Sequence, residues 1–126
     1  MTDSHAEHLA KAERLLRQAQ ALNAANAPES VIHLCYYAMF HAATVVLLRH
    51  RDNAALTHTG LIGTFGQFAK DRGEIARQHG RALNRAEDLR LQADYGVSYQ
   101  DLAEAAATLR EETRTFIDFC GSVVTE

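Results

Sequence analysis

The chain has no tryptophan, a single proline and only seven glycines in 126 residues. These scarcities argue against a turn-rich β fold, and the abundance of Ala, Leu, Arg and Glu favours helices throughout. The two cysteines, Cys35 and Cys120, are far apart and sit in apolar, helix-like contexts. Neither a disulfide framework nor a zinc site is suggested, and both thiols are expected reduced and buried in a cytoplasmic protein. An excess of basic charge is also missing: 13 Lys and Arg face 16 Asp and Glu. A protein that coats DNA by broad phosphate neutralisation is thereby excluded.

Several chemistries lack their residues. No Glu is followed by His three positions on, which removes the ferritin-like di-iron bundle. The chain contains no His-Glu-x-x-His zinc helix, no glycine-rich phosphate loop with its Lys, and no nucleophile elbow. No metal or cofactor is expected. The N-terminal stretch carries charges every few residues and lacks the apolar run of a signal peptide.

What is present is one dominant apolar stretch, Val31 to Leu48, interrupted by aromatic and imidazole rings. At 3.6 residues per turn, His33, Tyr37, His41 and Thr44 fall on one stripe, with Val31, Cys35, Ala38, Ala42 and Val45 opposite. At 18 residues the run approaches the length of a membrane span. The polar stripe and the amphipathic segments around it instead predict the central helix of a soluble bundle.

Four further helices are expected around it. Ser4 and Glu7 form a capping box that opens a helix running to about Ala25, with Leu9, Ala12, Leu15, Leu16, Ala19 and Leu22 inward and His5 and His8 facing solvent. Asn26, Pro28 and Glu29 start the central helix near Ala27, and Arg49, His50 and Arg51 close it. The two should pair as an antiparallel hairpin. Thr57 caps a helix unusually rich in glycine, spaced at Gly60, Gly63 and Gly66 and ended by 70–73. Glu74 to about Ala93 forms the next, with Ile75, Ala82, Ala86, Leu89 and Ala93 inward and Arg77, Arg81 and Arg85 outward, paired with Glu74 or Asp88. Ser98 and Asp101 cap the last, which runs to about Cys120 and stops at Gly121. The fold class is an all-α, up-and-down antiparallel bundle of about five helices, forming one domain over 1–126.

Three ordered stretches carry a resemblance: CYYAMFHAA, then THTGLIGTFGQFA, then ALNRAEDLRLQADY. Together, from Pro28 to Tyr95, they resemble the HEPN superfamily (higher eukaryotes and prokaryotes nucleotide-binding), in its small single-domain prokaryotic branch. The resemblance implies a helical bundle, a homodimer, and a toxin/antitoxin-like pairing with a minimal nucleotidyltransferase. It also implies binding of RNA or a nucleotide. The ribonucleases of that superfamily carry an Arg followed four to six residues later by a His. Here Arg90 is followed by Asp94 and Tyr95, so Tyr95 stands where the His is expected, and a phenol does not exchange protons near neutral pH as imidazole does.

The candidate site is therefore Arg90 as phosphate holder, and His58 or His41 as the proton-transfer group if RNA is cleaved. Tyr95, Tyr37, Asp94 and His33 are placed around the substrate. Tyr95 is also a candidate for modification by the nucleotidyltransferase partner. The alternative is a non-catalytic module in which the same groups form a dimer or partner interface; Arg90 and Asp94 would then be an i, i+4 ion pair anchoring a helix end. A DNA-reading helix-turn-helix would have to rely on Arg77, Arg81 and Arg85, and is not favoured.

Overall fold

The computed structural model describes residues 3–51, 58–96 and 102–126. Five helices account for almost all of them: α1 (Asp3–Gln20), α2 (Pro28–Arg51), α3 (His58–Lys70), α4 (Glu74–Tyr95) and α5 (Leu102–Val124). The expected all-α antiparallel bundle is present, and no strand occurs among the described residues.

The central place of α2 follows from its composition. It touches each of the other four helices. Val31, Cys35, Ala38, Ala42 and Val45 are buried as the periodicity requires, and so are Ile32, Tyr36, Met39, Ala43 and Val46. Burial therefore wraps most of the helix circumference, and the polar stripe is narrower than expected. Thr44 belongs to the core, its hydroxyl donating back to the Phe40 carbonyl at 2.8 Å. The segment Pro28–His50 is long and apolar enough to cross a membrane, but 67% of its most apolar window is buried against the other helices, as in a core helix.

Polar ties set the register between helices. Arg114 of α5 grips Glu13 of α1 through two nitrogens at 2.8 and 2.6 Å, and Arg110 donates to the carbonyls of Ala19 and Leu22 at 3.1 and 2.9 Å. The second tie adds a donor to carbonyls at the end of α1 and in the turn that follows it. On the other side Phe116 of α5 meets Phe65 of α3, with ring centroids 5.3 Å apart, and His79 of α4 lies flat on Phe119 at 4.5 Å.

Several boundaries differ from expectation for local reasons. Helix α1 ends at Gln20, not Ala25, because the Asn23 side chain accepts from the amides of Ala25 and Asn26 at 2.8 and 3.2 Å and folds a turn there. Helix α2 begins at Pro28, close to the start near Ala27 expected from Asn26 and Glu29. Gly121 does not stop α5, which continues to Val124 because Val123 and Val124 are buried. Ile75, expected inward, is 69% exposed in the first turn of α4. The caps expected at Thr57 and Ser98 lie outside the described residues. At the end of α4, Gly96 is required by close approach: a Cβ there would come within 2.6 Å of the Gln92 carbonyl oxygen. Cys35 and Cys120 are buried free thiols, and burial raises the Cys35 pKa to about 11.

Candidate functional site

Helices α2 and α4 run antiparallel, and between them lies a continuous polar network. Glu87, Arg90 and Asp94 are spaced by three and four, which stacks them on one stripe of α4. Across from them stand His33, Tyr36 and Tyr37 of α2. Arg90 donates through Nε to Glu87 Oε1 at 2.7 Å and through Nη1 to Asp94 Oδ2 at 3.2 Å, and its Nη2 lies 2.6 Å from Glu87 Oε1. Its guanidinium sits 5.0 Å from the centre of the Tyr36 ring. The Tyr36 hydroxyl donates to Glu87 Oε2 at 3.3 Å, and the other Asp94 oxygen accepts from His33 Nε2. Tyr37 packs beside the His33 imidazole at 6.2 Å between centroids.

Exposure grades outward along this chain. Arg90 is 13% exposed, Asp94 21% and His33 41%, so the network opens to solvent at its His33 end. Burial works against the Arg90 charge, yet hydrogen bonding and attraction from Glu87 outweigh it and raise its pKa. Burial, reinforced by the Glu87 carboxylate, raises the Tyr36 pKa as well, so the hydroxyl remains a donor. Two carboxylates thus flank one guanidinium, with the His33 imidazole at the outer end.

Four of the residues expected at the site are thus brought together: Arg90, Asp94, His33 and Tyr37. The others are not. Tyr95 is 79% exposed, and as the residue after Asp94 it is turned about 100° away from the network stripe. His58 opens α3, and its side chain lies outside what is described.

His41 lies roughly 12 Å along α2 from His33, at 1.5 Å per residue. It is engaged with His8 of α1, Nδ1 to Nδ1 at 2.9 Å. Their centroids are 5.2 Å apart, which exceeds the nitrogen separation by about two ring radii, so the imidazoles meet edge to edge and one N–H donates straight at the other nitrogen. Burial, with His8, Lys11 and Arg14 adding to it, lowers the His41 pKa to about 4. Its neutral imidazole is consequently a weak base. His8 is not the solvent-facing bystander its sequence position suggested; His5 is half-buried too.

Glu87 and Tyr36 were not anticipated. Glu87 could have been found from its position one turn before Arg90; Tyr36 could not, since its role depends on how α2 and α4 face each other. The outward arginines of α4 are all paired: Arg81 with Glu74 at 2.7 Å, Arg77 with Glu74 and the Lys70 carbonyl, and Arg85 with Glu112 of α5. Glu74 was among the expected partners of this face; Glu112 was not.

Comparison with known proteins agrees with this architecture. A family model for the HEPN domain matches residues 5–123. The chain is 34% identical over 83 residues to a Methanocaldococcus jannaschii protein named "Putative toxin MJ0605", covering 66% of this chain and 60% of that protein's length. It is 32% identical over 108 residues to a "UPF0332 protein" of Archaeoglobus fulgidus, covering 85% and 84% of the two chains. To "UPF0332 protein glr0978" of Gloeobacter violaceus it is 32% identical over 96 residues, or 76% and 75%. With nearly its whole length matched and the five-helix bundle in place, the chain belongs to the HEPN domain family.

Proposed function

We propose that this HEPN protein is toxin-like and binds RNA or a nucleotide at the α2–α4 face, in a pairing with a minimal nucleotidyltransferase. The observation that supports this best is the Arg90–Asp94–His33 relay, a guanidinium held ready beside an imidazole at the open end of a half-buried network. A phosphate has a way in. Of the bonds to Arg90, the one to Asp94 is the longest and the more exposed, so an incoming phosphate oxygen takes the place of Asp94 on Nη1 while Glu87 keeps the guanidinium oriented.

Asp94 keeps its bond to His33, so the imidazole stays beside the phosphate. If the bound RNA is cleaved, His33 is better placed than His41 to move the proton, because His41 is tied to His8. Tyr37 stands beside His33 at that open end. Tyr95 stands exposed at the end of α4, open to a modifying partner. A homodimer and a cytoplasmic setting complete the proposal.

A second reading is favoured by the same network's completeness. Each of Arg90's three nitrogens already has a carboxylate partner, which is what a purely structural anchor for a dimerisation or partner-binding module would look like. Labelled single-stranded RNA separates the two. The proposal expects binding by the native protein, with loss in Arg90→Ala and His33→Ala variants that remain helical. Binding that survives both substitutions, or none to begin with, leaves the interaction module.

A further inference from the structure

The network's open end, His33, also belongs to a groove on the other side of α2. Between α1 and α2 lies a depression of about 340 Å³ lined by Lys11, Leu15, His33, Leu34, Tyr37 and His41. It continues past His33 toward Leu22, Glu29 and Ser30. The His8–His41 bond closes its opposite end.

The sequence produces this groove by a simple coincidence of spacing. On α1, His8, Lys11 and Leu15 recur at three and four; on α2, His33, Tyr37 and His41 recur at four. Antiparallel pairing sets one stripe against the other. The result is an aliphatic floor, a wall of three aromatic or imidazole rings, and a cationic rim.

That rim is one of the places among the described residues where cations lack a carboxylate, Arg17, Arg49 and Lys70 being others. Arg72, Arg77, Arg81, Arg85, Arg90 and Arg114 all hold carboxylates. Lys11 and Arg14 are exposed and take no hydrogen bond or ion pair among the described residues. Both are near enough to His41 to oppose its protonation, so positive potential reaches into the groove. The remaining groups facing it are His8 from α1, with His33, Tyr37 and, at the far end, Glu29 from α2. An anion is drawn to the Lys11 end and repelled from the Glu29 end. Rings for stacking beside unpaired cations fit a single-stranded polynucleotide: every base has a face to stack, and every phosphate a charge to neutralise.

We propose that the α1–α2 groove is a second nucleotide subsite, in which a base lies against Tyr37 and His33 while Lys11 and Arg14 hold the adjoining phosphate. It rests on the reading that the α2–α4 face takes RNA, and extends that path across His33 onto α1. A strand with one phosphate at Arg90 turns over the His33 edge of α2 and sets its next nucleotide in the groove. Lys11 and Arg14 thus supply affinity and fix the direction of the strand, away from the acidic Glu29 end.

The test is binding of a fluorescent single-stranded RNA of about ten nucleotides to the full-length protein and to Lys11→Ala/Arg14→Ala, Tyr37→Leu and Arg90→Ala variants, each checked for native helicity and cooperative unfolding above the assay temperature. The Lys11→Ala/Arg14→Ala protein should bind on the order of tenfold more weakly, with a shallower dependence on salt by about one to two phosphate contacts. Tyr37→Leu, which removes the stacking ring, should bind more weakly, and Tyr37→Phe, which retains the ring, should bind normally; weak binding by folded Tyr37→Phe would contradict stacking. An NMR titration of His41 gives an independent readout. Bound RNA neutralises the rim, so the His41 pKa should rise from about 4 in the native protein and stay put in the doubly substituted one.

Native-strength binding and salt dependence in the Lys11→Ala/Arg14→Ala protein, with binding lost in Arg90→Ala, would overturn the groove and leave the α2–α4 reading intact. Absence of RNA binding by the native protein overturns both. If a polyglutamate peptide of equal charge displaces the RNA and raises the His41 pKa equally, the rim is a general acidic-peptide surface and the nucleotide assignment is wrong.

Discussion

Glu87 takes Arg90's Nε and Nη2 on a single oxygen and leaves its other oxygen for the Tyr36 hydroxyl, so one carboxylate on α4 fixes both the guanidinium beside it and the ring beneath it. The arginine is therefore aimed before any ligand arrives. Its one yielding contact is with Asp94, at 3.2 Å and nearer to solvent.

Removing that carboxylate should be costly for the fold. Glu87→Ala removes the carboxylate that holds two Arg90 nitrogens and accepts from the buried Tyr36 hydroxyl, an expected loss of about 2–3 kcal/mol. Glu87→Gln, which keeps one acceptor, should lose less. Denaturant unfolding followed by circular dichroism checks both; equal stability of Glu87→Ala and the native protein would remove Glu87 from the account.

The glycines of α3 make the opposite kind of prediction. A Cβ on Gly63 or Gly66 would meet no atom within 4 Å beyond its own helix, and neither has a positive φ. Gly63→Ala and Gly66→Ala should therefore stabilise the protein by about 0.5–1 kcal/mol each through lower backbone entropy in the unfolded chain. A lower melting temperature would mean that those positions touch something in the working assembly.

Acid should weaken the protein through its histidines. The His41 pKa is about 4 in the fold, against an ordinary 6.5, so below pH 6.5 the unfolded chain binds the proton that the folded one refuses. Stability from this group is complete above about pH 6.5 and is lost as pH falls toward 4, by about 1–2 kcal/mol after allowing for solvent screening. His79 and His50, lowered by burial, act in the same direction. Unfolding free energies measured from pH 7 to 4.5 should fall, with a smaller slope in His41→Gln; an unchanged slope would assign the effect elsewhere.

How much of this was legible in the sequence depends on range. The five helices follow from local signals, apolar periodicity and caps, which is why α2's buried face was read correctly from Val31 to Val45. Where the ends slipped, tertiary packing outweighed local preference: Val123 and Val124 draw α5 past Gly121, and no neighbouring helix covers Ile75. Within the site, Arg90, Asp94, His33 and Tyr37 were recognisable because the chemistry-bearing residues of α2 and α4 each lie on one helical face. The ties Tyr36–Glu87 and His8–His41 join residues 51 and 33 positions apart and depend on how the helices are rotated against each other. Periodicity names a face but not its partner. His58 shows the same gap, since nothing about its spacing says which helix it meets.

The account stands or falls on whether Asp94 occupies the place of a phosphate on Arg90. The most direct measurement is the affinity of the native, Asp94→Asn and Arg90→Ala proteins for the same labelled single-stranded RNA at fixed salt. Replacing Asp94 removes the competing charge and frees Nη1, so Asp94→Asn should bind several-fold more tightly than the native protein and Arg90→Ala should bind hardly at all. Equal affinities in all three, or weaker binding by folded Asp94→Asn, would contradict it and leave the network as a helix anchor.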